Sequence, residues 1–125
     1  MKVLLPCSIG EAIDRYLILL KKQEVATGGR HTAITTEVAD LRAAIDLVYP
    51  KATCDLLMVA DIAALDRVNR ALWDLEDQIR VLYKSGFIHT DTAYKVCQLN
   101  DERSRLKQNI NMLFGSAYYE FKQYG

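Results

Sequence analysis

Two short clusters of polar side chains are the parts of this sequence best suited to chemistry. The first cluster contains Glu76, Asp77 and Arg80, and the second contains Asn100, Asp101, Arg103 and Lys107. Because guanidinium and ammonium groups bind phosphates and carboxylates, Arg80, Arg103 and Lys107 could hold a phosphate, a sugar or a carboxylate. Glu76 and Asn100 complete this candidate ligand site.

Arg103 also falls within an apolar seam, where its guanidinium loses hydration and needs a carboxylate partner. Glu76 is the predicted partner, since folding the last two helices together places it one turn from Arg103. Single polar residues in such seams fix the register of paired helices. We therefore predict that Arg103 fixes register, and we keep the ligand site as the alternative.

Other residue types give no complete reactive site. Glu37 and Asp40 have the spacing of a metal-binding pair, but no Glu-x-x-Glu pair precedes them. Three cysteines are an odd number and lie far apart, which favours reduced thiols over a disulfide framework. Trp73 could stack on a base or sugar, although packing against a neighbouring helix or a second subunit is the expected role. We predict no catalytic residue, no metal and no cofactor.

Apolar residues recur in alternating steps of three and four along three segments, which predicts helices that pack side by side. The three seams are Ile34, Val38, Leu41, Ile45 and Val48; Leu65, Val68, Leu72, Leu75, Ile79 and Leu82; and Val96, Leu99, Arg103, Leu106, Ile110 and Leu113.

Capping and helix-breaking residues set the expected boundaries. Ser8 and Glu11 form a capping box for a first helix over 9–25, which Gly28-Gly29 ends. The expected later helices cover 32–49, stopped by Pro50; 55–84, capped by Asp55; and 90–114, ended by Gly115. We therefore predict an all-α fold of two antiparallel helical hairpins with four-helix, coiled-coil-like packing. A short extended segment begins this single domain, followed by a short hairpin within 1–50, a long hairpin over 55–115 and a tail over 116–125.

Composition limits the partners of the chain. The 125 residues carry 16 basic and 16 acidic side chains, and no basic face is visible, so we expect no nucleic-acid binding. The longest apolar stretch, 16–20, is too short to cross a bilayer, and no secretory signal is visible. We expect a cytoplasmic protein that does not bind membranes.

Several sequence blocks resemble a small bacterial helical family known only as a domain of unknown function. The blocks are SIGEAID, ILLKKQ, ALWDLEDQIR, LNDERSRLKQNINMLFGS and EFKQY. The resemblance implies a helical protein and brings no activity, substrate or cofactor. Its recurring polar or special positions correspond to Trp73, Glu76, Asp77, Arg80, Asn100, Asp101, Arg103, Lys107, Asn111, Gly115 and Ser116.

Apolar residues outside the seam of the long hairpin suggest a further packing partner. They are Leu56, Leu57, Ile62, Trp73, Val81, Tyr94, Met112 and Phe114. One partner helix cannot cover all of them, so either the first hairpin packs there to give a bundle or a second copy of the chain does. We predict a homodimer or higher oligomer. The expected function is a non-catalytic interaction or scaffold module that binds itself and an unknown protein partner. A small-anion, nucleotide or sugar site between helices 3 and 4 is the alternative.

Overall fold

Helices form all the regular structure in the computed structural model of the chain, which describes residues 2–49, 56–86 and 90–116. They are α1 (Ile9–Val25), α2 (Gly28–Val48), α3 (Ala60–Lys84) and α4 (Thr90–Leu113), with a 3-10 turn over Leu56–Met58 before α3. The predicted all-α fold is therefore confirmed.

The helices pack as two hairpins around one core. Helices α1 and α2 pack closely together, as do α3 and α4, and α1 also packs against both helices of the long hairpin. The core consists of Ile9, Ile13, Leu17, Ile45, Leu56, Ile62, Leu65, Leu106 and Ile110. Helix α1 is therefore the central element, since its side chains contact all three other helices.

The first turn of α1 forms one of the two hydrogen bonds of the predicted capping box, and the Glu11 carboxylate pairs with Lys107 instead of the Ser8 N–H. The Ser8 hydroxyl accepts a hydrogen bond from the Glu11 backbone N–H at 3.0 Å, and Ser8 has the extended backbone of an N-cap residue. Residues 2–8 before it are not helical, which confirms the short N-terminal segment.

Other predicted boundaries are wrong by a few residues. Gly28 and Gly29 do not end α1; they begin α2, which starts four residues before the predicted position. Helix α3 begins at Ala60, because Val59 has an extended backbone that separates it from the preceding 3-10 turn. The predicted caps and breakers at Pro50 and Asp55, and the tail from 117 onward, lie outside the described residues.

The α4 end follows the prediction closely. Gly115 has a φ of 62°, and the Ser116 N–H donates to the Asn111 carbonyl oxygen at 2.9 Å. Helices commonly end with a left-handed residue and a backbone hydrogen bond that reaches back five residues. This bond satisfies a carbonyl group that the last turn leaves without a partner.

The predicted seams are buried unevenly, and two of them are exposed at their last residue. Leu65 and Ile110 are fully buried, whereas Leu113 is 59% exposed and Val48 is 70% exposed. Near its end, α4 buries Ile110 and Asn111 instead, because Asn111 packs against the first turn of α1. The seam prediction is therefore wrong for Leu113 and Val48.

The extra apolar residues of the long hairpin divide into two groups. Leu56 and Ile62 are buried within the chain, and Phe114 packs on the core edge-to-face with Tyr49 at a ring distance of 4.8 Å. Val81 and Tyr94 remain more than 60% exposed. The first hairpin, one of the two expected coverings, thus packs on part of this surface, and Val81 and Tyr94 stay exposed.

Candidate functional site

A buried carboxylate on α1 holds the arginine of the α4 seam. Asp14 is only 1% exposed, and its Oδ1 accepts hydrogen bonds from Arg103 Nε at 3.0 Å and from Asn69 Nδ2 at 2.8 Å. Its Oδ2 accepts from Arg103 Nη2 at 2.5 Å. The hydrogen bonds that Arg103 donates to Asp14 raise the pKa of the guanidinium against the opposing effect of its burial. The network joins α1, α3 and α4.

The predicted pairing of Arg103 with Glu76 is wrong. Glu76 is exposed to solvent, and the guanidinium of Arg103 turns to Asp14 because α1 packs across both α3 and α4. The sequence carried a signal for this partner. Asp14 is a charged residue on the same face of α1 as Ile13 and Leu17, which are both buried.

A cavity of about 290 Å³ lies beside this network. It is lined by Ile18 and Lys22 of α1, by Asn69, Leu72, Trp73, Glu76 and Arg80 of α3, and by Arg103 of α4. The spacing of three and four residues along α1 and α3 puts these side chains on one face of each helix.

The structure brings together three of the five predicted site residues. Glu76, Arg80 and Arg103 line the same cavity, and Arg80 Nη1 also donates to Asp77 Oδ1 at 2.6 Å. Asn100 and Lys107 are not among the lining residues. Sequence reasoning missed the contribution of α1, because helix pairing was inferred only within each hairpin.

Lys107 contributes to a different feature, the junction between α4 and the start of α1. Its Nζ lies 2.6 Å from Glu11 Oε2. The Ile9 N–H donates to Ser116 Oγ at 3.2 Å, and the Gly10 N–H donates to Asn111 Oδ1 at 2.6 Å. A helix N-terminus attracts anions through such free N–H groups. Here the chain supplies the acceptors itself, so this terminus is a structural contact.

An apolar groove of about 620 Å³ lies beside the same junction. Its apolar lining includes Val3, Leu4, Leu5, Pro6, Ile9, Leu41, Ile45, Val48 and Phe114, and its polar lining includes Glu11 and Arg15. Val3, Leu4 and Leu5 expose 78%, 90% and 75% of their surface. The groove is therefore bordered by a non-helical segment whose apolar side chains are exposed.

Two classes of site are not found within the described ranges. No group of three or more His, Cys, Asp or Glu side chains is placed to hold a metal ion in residues 2–49, 56–86 and 90–116. No helix among these residues combines the length and apolar character needed to span a membrane.

Comparison with protein-family models, with curated proteins and with solved structures gives no match to this chain. The resemblance of its sequence blocks to a bacterial helical family stays a prediction.

Proposed function

We propose that this chain is a non-catalytic helical interaction module that associates with a second copy of itself through the apolar groove. The observation that carries the proposal is the exposure of three consecutive apolar side chains, Val3, Leu4 and Leu5, along the groove. Contiguous exposed apolar surface favours association, because burying it releases roughly 25 cal/mol per Å².

The backbone of the same segment supports pairing with another extended chain. Val3, Leu4 and Leu5 make no hydrogen bond in the structure of the described residues. Free N–H and C=O groups on an extended segment are a template for strand addition. Two copies of one segment can pair in antiparallel orientation about a two-fold axis, which is the commonest symmetry of homo-oligomers.

The charges near the groove also suit a second copy. Glu11 and Arg15 both line it, and Lys2 forms an ion pair with Asp40 at 3.4 Å. A surface that carries both signs can be complementary to itself. The formal net charge of the chain is zero, so long-range repulsion does not oppose the approach of two copies.

A charge placed on the segment tests this proposal. In Val3→Lys the new ammonium would have to be buried on association, so we expect the dimer to weaken by about tenfold or more. The measurement is sedimentation equilibrium at micromolar concentration, where the wild type should show twice the chain mass of 14.2 kDa.

Val25→Lys is the matched control. Val25 is 57% exposed, and it ends α1 at the opposite end of that helix from the groove. We expect this variant to dimerise as the wild type does. A monomeric wild type, or an equal loss of dimer in both variants, would contradict the proposal.

A further inference from the structure

We propose that the cavity between α1, α3 and α4 binds a small phosphate ester that carries hydroxyl groups, such as a sugar phosphate. This site is separate from the groove and does not depend on self-association. Three cationic side chains, Lys22, Arg80 and Arg103, line the cavity together with one carboxylate, that of Glu76.

The guanidinium of Arg103 is already positioned for an anion. Asp14 occupies two of its five N–H groups, and the pair is anchored by Asn69. The remaining N–H groups of Arg103 make no other hydrogen bond in the described part of the chain. A side chain fixed in advance loses little entropy when it binds a ligand, which favours affinity.

Two further charged side chains of the cavity, those of Lys22 and Glu76, are available to bind a ligand. Neither of them forms an ion pair within the described ranges. An ammonium without a carboxylate partner suits a phosphate, and a carboxylate accepts hydrogen bonds from hydroxyl groups. Both requirements are met by one molecule that carries a phosphate and hydroxyls.

The wall and the volume of the cavity also suit a sugar phosphate as the ligand. Trp73 is partly buried and contributes an aromatic surface, with Ile18 and Leu72 beside it. The apolar face of a sugar ring can pack on such a wall. The volume of about 290 Å³ is close to the lower end of pockets that enclose small molecules. A monosaccharide phosphate is therefore the appropriate size.

The fluorescence of Trp73 gives a direct test, because it is the single tryptophan of the chain. We would titrate the full chain with glucose 6-phosphate, with ribose 5-phosphate and with glucose, and measure the heat of binding in parallel. We expect a saturable change with at least one sugar phosphate and none with glucose at the same concentration.

Arg80→Gln removes one cation from the exposed rim of the cavity, and we expect sugar phosphate binding to weaken by roughly tenfold. Arg105→Gln is the matched control, since Arg105 is also an exposed arginine with an acidic partner three residues away but does not line the cavity. Circular dichroism would verify that both variants are folded. Equal binding of glucose, no binding of either phosphate, or unchanged affinity in Arg80→Gln would overturn the proposal.

Discussion

The buried carboxylate of Asp14 decides the behaviour of the residues around it. It accepts the hydrogen bonds of both Arg103 and Asn69, so its removal would leave a guanidinium and an amide without an acceptor. Breaking one partner of a buried pair is costly, whereas replacing both partners by apolar groups can be nearly neutral. Comparing a variant that removes one partner with a variant that replaces both partners therefore tests whether Asp14 and Arg103 act as a pair.

We predict that Asp14→Leu lowers the free energy of unfolding by about 3 kcal/mol. The double variant Asp14→Leu/Arg103→Met should lose much less, because no charge is then left without a partner. Chemical denaturation followed by circular dichroism would measure both. Glu102→Leu/Arg105→Met is the control on the exposed surface, where we expect little change. A double variant that loses as much as Asp14→Leu alone would show that the network does not behave as a pair.

The sequence predicted one half of this site. Arg103 was singled out because a charged residue interrupted an apolar seam, and Glu76 and Arg80 were correctly expected near it. The partner was missed because the seam argument describes contacts within a hairpin. A pattern within one hairpin does not predict which carboxylate another helix places beside it. Asp14 lies on α1, outside the long hairpin.

At the scale of elements, α1 and α4 approach each other closely at Gly10. A Cβ atom on Gly10 would lie 2.5 Å from the Lys107 carbonyl oxygen and 2.7 Å from Asn111 Oδ1. These distances are far below a normal contact, and a backbone carbonyl cannot move without shifting its helix. Gly10 therefore lets the two backbones come close enough for the Gly10 N–H to reach Asn111.

We predict that Gly10→Ala lowers the free energy of unfolding by about 1–3 kcal/mol, the usual cost of forcing an extra group into a packed contact. Thermal or urea unfolding would measure this change. Gly29→Ala is the matched control, since nothing lies within 4 Å of a Cβ at that position and Gly29 is helical. We expect it to be neutral or slightly stabilising. Equal losses in the two variants would contradict the steric argument.

Element boundaries were predictable where a side chain acts on its own backbone. The Ser8 N-cap and the Gly115 terminator were predicted correctly, because a cap is a local interaction. The Glu11 carboxylate was not, because it pairs with Lys107 from α4. Gly28-Gly29 was misread as a stop, since glycine is equally suited to a sharp entry into a helix, and Gly28 has a φ of 64° as α2 begins. Local residue type alone does not distinguish these two uses.

At the scale of the whole molecule, a bidentate ion pair joins the two hairpins. Arg70 of α3 donates from Nη1 and Nη2 to the carboxylate of Glu24 on α1, at 3.0 Å and 2.6 Å. The hydrogen bond from Arg70 holds the pKa of Glu24 below its ordinary value of 4.5. The pair is partly exposed, and such pairs contribute at most about 1 kcal/mol.

The sign of its pH dependence follows from the lowered pKa. A carboxylate whose pKa falls on folding stabilises the protein above its unfolded pKa, and this contribution is lost as pH falls through the folded value. We predict that Glu24→Gln lowers the melting temperature slightly at pH 7. The difference from wild type should shrink as the pH falls below 4.5 and disappear once the pH has passed the lowered pKa of Glu24. Calorimetry across this range would measure it. Glu37→Gln is the control, since Glu37 is exposed and forms no ion pair within the described residues, and it should leave the melting temperature unchanged at both ends of the range. A difference that grew on acidification would contradict the assignment.

The junction of α1 with the end of α4 has a consequence for synthesis of the chain. Ile9 and Ser116 lie 107 positions apart, and Gly10 and Asn111 lie 101 apart. A ribosome releases α1 first, yet the acceptors for the leading amides of that helix emerge only when translation has passed the fourth helix. The first turn of α1 can therefore complete these two hydrogen bonds only after α4 and Ser116 have been synthesised, and native contacts of such long sequence separation form slowly.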